Sequence, residues 1–279
     1  MTTHPNLKNR VSFNLFGIYR AIYRTPPADF FRMKGLKQKS AEDLNMGCPM
    51  WLFLVIYVIA TTAGPMWWHH SLHGVLSPMQ AGLAFFLGLN AIVCLWEISL
   101  FYEIELIAKK NKTYERKAKG RALSFALDFF FLDVHPRNMF TSKLWCEVWA
   151  YYSVFDRSYA NRESFGFFVD VGNGWTTLLP TLIFLVGMTA HGDSYSGVLT
   201  LPCDARTLGV LGLLSFYQEF YGTCVYFLSF VLNKRYKKLT TLEVAIFVCF
   251  TNGLWFIFPL IGMKACWDLI QTNTYATFL

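Results

Sequence analysis

Charge is what this sequence has least of. Of 279 residues only 15% are Asp, Glu, Lys or Arg, against 54% hydrophobic and 18% aromatic, with a mean hydropathy of +0.34. Ordinary soluble domains carry about 25% charged residues. The deficit excludes a disordered chain, a coiled coil and a typical soluble enzyme. There is also no CxxC pair and no zinc-like cysteine spacing among the 7 Cys, so neither a redox motif nor a zinc module is expected. Cys94, Cys224 and Cys249 fall in apolar runs and read as buried small hydrophobes. The N-terminus lacks a short apolar core followed by a small-residue cleavage site, so no cleaved signal peptide is expected. No basic stripe lies on a soluble element, which excludes nucleic acid as a partner. The six His are too few for the histidine boxes of a membrane di-iron enzyme. His69 and His73 stand four apart, but they read as part of a short interfacial loop beside Pro78, so no metal is expected. There is no Ser-His-Asp order and no cofactor fingerprint. Asp170-Val-Gly-Asn-Gly-Trp175 is glycine-rich but has no Lys and no preceding strand, so it is not a phosphate loop.

What is present is lipid-soluble sequence in long runs. A span needs roughly 20 apolar residues. Five segments qualify, at about Pro49–Trp68, Met79–Ile107, Phe165–Met188, Thr207–Leu232 and Leu242–Cys266. The expected fold is all-α, a five-helix polytopic membrane bundle. Residues 1–49 mix Arg and Lys with Phe and Tyr and read as an N-terminal segment on the membrane surface. Residues 50–279 form the membrane domain. Residues 108–164 read as a polar cytoplasmic insertion, in which 122–132 is apolar but too short to span and lies at the interface. Five spans place 1–49, 108–164 and 233–241 on one side. That side holds 23 of the 25 basic residues; Arg206 and Lys264 are left for the other. The asymmetry puts the N-terminus in the cytoplasm. It also puts the sequon at Asn111 there, where no glycan is added.

Acids inside the spans are the chemically informative residues. Glu97 and Glu103 lie in the second span, Asp170 in the third and Glu219 in the fourth. A charge at the bilayer centre costs roughly 2.5–3.5 kcal/mol on insertion scales. No basic residue lies in the apolar part of a span to offset it. A carboxyl so placed can donate a proton near neutral pH, as a general acid must. The alternative is plain helix–helix hydrogen bonding, and for Glu103, near the cytoplasmic end, a position at the helix end. Ser215, Glu219, Gly222 and Tyr226 share one helix face. So do Asn252, Trp255 and Pro259, which suit either a wall that binds a polycyclic ring or an ordinary interhelical contact with a proline kink. Carboxyls, amides and aromatic faces together fit proton transfer with a cation held by π faces.

At these residues the sequence resembles the emopamil-binding protein (sterol isomerase, EXPERA-domain) family, as a divergent member. Tyr221-Gly-Thr-Cys-Val-Tyr-Phe-Leu228 and Asn252-Gly-Leu-Trp-Phe-Ile-Phe-Pro259 are similar to its last two spans. Asp156-Arg-Ser-Tyr159 resembles its Asp-Ser-Arg-Tyr stretch. Counting on from there, Asp170 falls at the family's catalytic membrane Glu, and Glu97 at its second-span Glu. The resemblance covers about 79–270. It departs at Val93, where sterol isomerases place a His, and at Asp170, where they have Glu.

The resemblance implies a helical bundle with a lipophilic cavity, residence in the endoplasmic reticulum membrane and cation-type chemistry without a cofactor. The expected function is a proton-initiated isomerase or cyclase acting on a terpenoid or sterol. Asp170, Glu97 and Glu219 are the catalytic candidates. Asn252, Trp255, Tyr221, Tyr226, Glu103 and Asn173 are the substrate-binding candidates. Partners are the lipophilic isoprenoid and the bilayer, and the sequence leaves room for a homodimer. The alternatives are a non-catalytic sterol- or amine-binding membrane protein of the sigma type, and a structural membrane partner.

Overall fold

The structure is a computed structural model and describes residues 47–139, 141–191 and 204–279. The expected surface segment 1–49 lies outside these residues up to position 46, as does most of the loop expected at 189–206. The described residues belong to one unit beginning at Met46.

Seven helices carry the described residues. Helix α1 is Met50–His73 and ends on Gly74, whose left-handed backbone (φ 72°) lets its N–H reach the His70 carbonyl. It is longer than expected. His69, His70 and His73 do not sit in a loop but form its last turn, because Gly74 and not the Trp67-Trp68 pair is the stop signal. Helix α2 is Pro78–Ala118, capped by Ser77 with Pro78 in its first turn. At 41 residues it is roughly 60 Å long. It therefore extends well beyond the hydrocarbon layer and takes up the first part of the segment read as a polar insertion. Its backbone leaves helical geometry at Glu103 (φ −110°, ψ 18°), where Ser142 Oγ donates to the Glu103 carboxyl. Helix α3 (Ala122–Leu127) is the short apolar element, and runs into a tight turn at Asp128–Phe131.

Helix α4 (Ser142–Tyr152) packs on α2 through Trp145, Cys146, Trp149 and Ala150. Its register is fixed by Trp149 Nε1, which donates to the Trp96 carbonyl at 2.6 Å. Helix α5 is Phe165–Thr189 and α6 is Ala205–Leu232. Helix α7 is Thr241–Thr272, with a wider, π-helical stretch at Val244–Phe250. A two-residue antiparallel pairing, β1 (Cys48–Pro49) on β2 (Asp133–Val134), ties the start of α1 to the segment between α3 and α4.

Among the described residues four helices, α1, α2, α5 and α7, are long and apolar enough to cross a membrane. This is a multi-pass, all-α membrane protein. Helix α6 matches them in length, but Gln218 and Glu219 interrupt its apolar sequence. Large apolar side chains point outward along α1 (Val55, Ile56, Ile59) and α7 (Phe250, Ile257), as lipid contact requires. Of the cysteines expected to be buried, Cys94 is, Cys224 is half-buried, and Cys249 faces outward on the π-helical stretch.

Small residues set the helix spacing. A Cβ on Gly174 would lie 2.7 Å from the Glu97 Cβ and 2.9 Å from the Cys94 carbonyl, so α2 and α5 touch backbone to backbone at Glu97. Three apolar clusters are found among the described residues. The smallest of them is Met50, Ile92, Phe129, Val134 and Trp145, and two are larger. One is formed by Phe86, Phe184, Met188, Leu208, Phe216, Leu269 and Phe278. The other gathers Ile104, Trp149, Tyr159, Phe167, Tyr226 and Phe230.

Candidate functional site

A cavity of about 190 Å³ opens between α2, α4, α5, α6 and α7. Helix α2 contributes Val93, Trp96 and Glu97; α4 contributes Trp149 and Tyr152; α5 contributes Asp170 and Asn173. The wall is completed by Thr223 and Tyr226 from α6, Asn252 and Trp255 from α7, and Tyr159 from the turn before α5. A second pocket of about 190 Å³, lined by Phe129, Phe130, Tyr151, Phe155 and Phe247, shares Trp96, Val148, Tyr152 and Thr251 with the first. Two aromatic residues, Trp96 and Tyr152, thus form part of a common wall.

The polar groups of the cavity fall into two networks. At one end Asp156, fully buried, accepts from Arg235 Nη1 at 2.5 Å and from the Tyr226 hydroxyl at 3.2 Å. The Arg235 guanidinium also lies over the Tyr226 ring, 5.5 Å from its centroid. Tyr226 meets the Tyr152 hydroxyl at 3.4 Å. Tyr152 in turn donates to the Phe247 carbonyl at 2.8 Å and accepts from Asn252 Nδ2 at 3.3 Å. The π-helical stretch gives this arrangement its geometry. Its wider turn exposes the Phe247 carbonyl to a side chain from another helix, and Asn252 follows immediately. Tyr159 hydrogen-bonds Asp170. Burial pushes the Tyr152 hydroxyl up to about 12. Burial, then the Asp170 carboxyl, hold Tyr159 well above the usual tyrosine range. Both phenols are protonated at neutral pH and serve as donors.

The second network lies deeper in the bundle. Trp255 Nε1 donates to Asn90 Oδ1 at 2.7 Å, and Asn90 Nδ2 donates to Glu219 Oε1 at 2.7 Å and to Thr181 Oγ1 at 2.9 Å. Glu219 Oε2 has no partner. Asn90 therefore fixes the Trp255 ring against the cavity and connects it to a buried acid. Glu97 is buried beside the cavity, with the Asp170 and Glu219 carboxyls as its electrostatic neighbours. Cations nearby are engaged elsewhere: Lys110 with Glu147, Arg157 with Glu115, Arg235 with Asp156.

The sequence-derived residues divide clearly. Glu97, Asp170, Asn173, Tyr226, Asn252 and Trp255 line one cavity although they come from four helices. Asn173 also accepts from Gln218 Nε2 at 3.2 Å. Glu219 lies behind the wall, reached through Asn90. Glu103 is at the α2 kink, bonded to Ser142, outside the cavity. Tyr221 is 57% exposed and stacks on Tyr217 on the outer face of α6. Its position one residue before Gly222 turns it away from the inward stripe. Val93, at the place of the sterol isomerases' His, lines the cavity.

Trp96, Trp149, Tyr152 and Asn90 were not singled out from sequence, and Tyr159 only as part of the Asp156–Tyr159 stretch. The signal for α4 was there: Trp145, Trp149 and Tyr152 repeat at helical spacing in a segment too short to span. No family model matches this chain, and neither curated proteins nor solved structures give a match.

Proposed function

We propose that this chain is a five-span membrane enzyme of the emopamil-binding type, with α6 as the fifth span, and that it isomerises or cyclises a terpenoid or sterol. The observation that carries the reading is the meeting of Glu97 and Asp170, from two different helices, on one aromatic-walled cavity within apolar helices. One carboxyl gives its proton to an alkene carbon or an epoxide oxygen of the substrate. The cation so formed is held by the Trp255, Trp149 and Tyr226 faces. For an alkene, the other carboxylate removes a proton from a neighbouring carbon, and the double bond has moved. For an epoxide, one C–O bond breaks, the protonated oxygen stays on its other carbon as a hydroxyl, and the chain closes onto the cationic carbon before the same proton loss. A proton returned between the two carboxyls resets the site, so no redox cofactor is required. Asn252 and Asn173 orient the polar group of the substrate. Glu219, through Asn90, positions Trp255. A single cavity of 190 Å³ holds part of a polycyclic ligand, and the adjoining pocket takes the rest.

The endoplasmic reticulum membrane, with the N-terminus and the Lys109–Arg121 run in the cytoplasm, is the setting that follows from the basic asymmetry and the resemblance. A second reading, binding without turnover in the manner of the sigma-type proteins, draws on Val93: the cavity wall has no imidazole at the place where sterol isomerases carry one. Incubating membranes containing the chain with unsaturated sterols and with prenylated epoxides decides between them. Formation of a product isomeric with its substrate supports the enzyme. Saturable binding with no product supports the second reading.

A further inference from the structure

A second cluster lies away from the cavity. From Asp170 to the end of α5 at Thr189 is roughly 28 Å along the helix axis. At that far end stand His69 and His73, one turn apart on α1, and His191, two residues beyond α5. The His69 and His73 ring centroids are 4.6 Å apart, His191 stacks on His73 at 4.0 Å, and His69 and His191 are 5.7 Å apart. One ring nitrogen from each of the three lies within 4.8 Å of the others. His191 also stacks on Tyr275 at 4.5 Å. The sequence offered only the His69 and His73 pair; His191 is brought to it by the packing of α5 against α1.

Hydrogen bonding sets the rings up as ligands. His69 Nδ1 lies 3.4 Å from the Val75 carbonyl, and with its proton there Nε2 carries the lone pair. The backbone of Phe278 also approaches this ring. His73 Nε2 lies 3.3 Å from the Thr189 carbonyl, which leaves its Nδ1 as the free nitrogen. His69 is completely buried, and Nε2 of His69 and Nε2 of His191 are both buried without a hydrogen-bond partner. His69 and His73 each set one ring nitrogen against a backbone carbonyl, as metal-ligating histidines commonly do, and one nitrogen of each of the three rings lies close to those of the other two. Two orphaned buried nitrogens in one cluster are explained together by one shared ligand.

We propose that His69, His73 and His191 form a three-imidazole site for a divalent transition-metal ion, zinc in the first instance. The donor set selects the ion class. Imidazole nitrogens suit Zn, Cu and Ni, whereas Mg and Ca take oxygen ligands. The size also fits. Metal–nitrogen bonds of about 2.05 Å hold tetrahedral nitrogens about 3.3 Å apart. Contracting separations of up to 4.8 Å to that spacing moves each nitrogen by about 0.8 Å at most, and the His191 ring also turns out of its stack on His73 so that the in-plane lone pairs converge. The ion fastens the end of α1 to the chain just past α5, beside the packed Tyr275 and Phe278. It is a structural clamp, and its existence does not depend on the reading of the cavity.

The test uses the full chain, purified in detergent with an affinity tag that contains no histidine, and stripped with a chelator. Cobalt(II) is titrated as a spectroscopic probe, then displaced by zinc. The expected result is one equivalent of cobalt per chain, with ligand-field bands of a low-coordinate nitrogen site that zinc removes. Zinc also raises the unfolding temperature of the wild-type chain. His191→Ala lowers the affinity by about 100-fold or more and abolishes the thermal gain, because one of three ligands is lost. His70→Ala, on the exposed side of the same helix end, changes neither. His73→Gln is the second variant, retaining polarity and bulk should His191→Ala fold poorly. A stripped wild-type chain that takes up no stoichiometric cobalt overturns the site, whatever the variants do. Equal losses in His70→Ala and His191→Ala overturn it as well.

Discussion

Gly174→Ala places a methyl group where α2 and α5 touch. Its Cβ would stand 2.7 Å from the Glu97 Cβ, 2.9 Å from the Cys94 carbonyl oxygen and 3.1 Å from the Ile98 nitrogen. Two of these three atoms are backbone and cannot rotate away. Carbon atoms rest at about 3.5 Å or more, so the helices must separate by roughly 0.8 Å at this level. Overpacking of this kind costs about 1–3 kcal/mol. At about 2–4 °C per kcal/mol for a chain of this size, the unfolding temperature falls by roughly 2–12 °C. The same displacement moves Glu97 relative to Asp170. A misplacement near 1 Å can cost about 10²-fold in rate. Gly172→Ala is the control: it lies two residues away on the same helix, and its Cβ meets nothing within 4 Å. The assay is isomeric product formed per folded molecule, together with the temperature of half-unfolding in detergent. Gly174→Ala is expected to lose both turnover and stability while Gly172→Ala keeps both. Equal behaviour of the two variants would refute the argument that a backbone contact at Gly174 positions Glu97.

Three further outcomes are expected. Asn90→Ala strands the Trp255 indole N–H and the Glu219 carboxyl at once; at about 1–3 kcal/mol for each unsatisfied group it destabilises the chain by roughly 2–6 kcal/mol, read from denaturation. In sealed microsomes, a reagent confined to the cytoplasmic side labels a Cys introduced at Lys112 and not one at Ser194, and the reverse pattern contradicts the topology. Lipophilic amines compete with substrate, since a protonated amine on an apolar frame imitates the cation. Trp255→Leu weakens amine binding more than binding of a neutral sterol of equal size, and equal losses reduce Trp255 to a packing wall.

The apolar runs located the starts of the long helices to within two residues, because burial in lipid leaves an uninterrupted signal. The ends were harder. His69 to His73 read as a loop because polar residues follow Trp67-Trp68, yet the helix continues until Gly74 supplies the left-handed turn. The stretch 108–164 read as an insertion because its charge hides its periodicity. There α2 runs on to Ala118, and α4 brings Trp149 and Tyr152 into the cavity wall. Glu97, Asp170 and Asn252 were legible because an acid or amide within an apolar run is unusual whatever its neighbours. Tyr221 was chosen by motif alone, and helical phase places it outside. Asn90 drew no attention as an isolated amide; its role exists only where Trp255 and Glu219 converge on it. Likewise His191 is 118 positions from His73, and no spacing rule connects them.

The central claim is that carboxyl groups inside the membrane move a proton to and from a lipophilic substrate. Asp170→Asn tests it most directly, because the change preserves size and removes the acid. An amide is easier to bury than a carboxylate, so expression and unfolding temperature should hold. General acid catalysis contributes about 10²–10⁴-fold, and turnover should fall by at least that much, with Glu97→Gln behaving in parallel. Product formation by a folded Asp170→Asn protein at the wild-type rate would contradict the account.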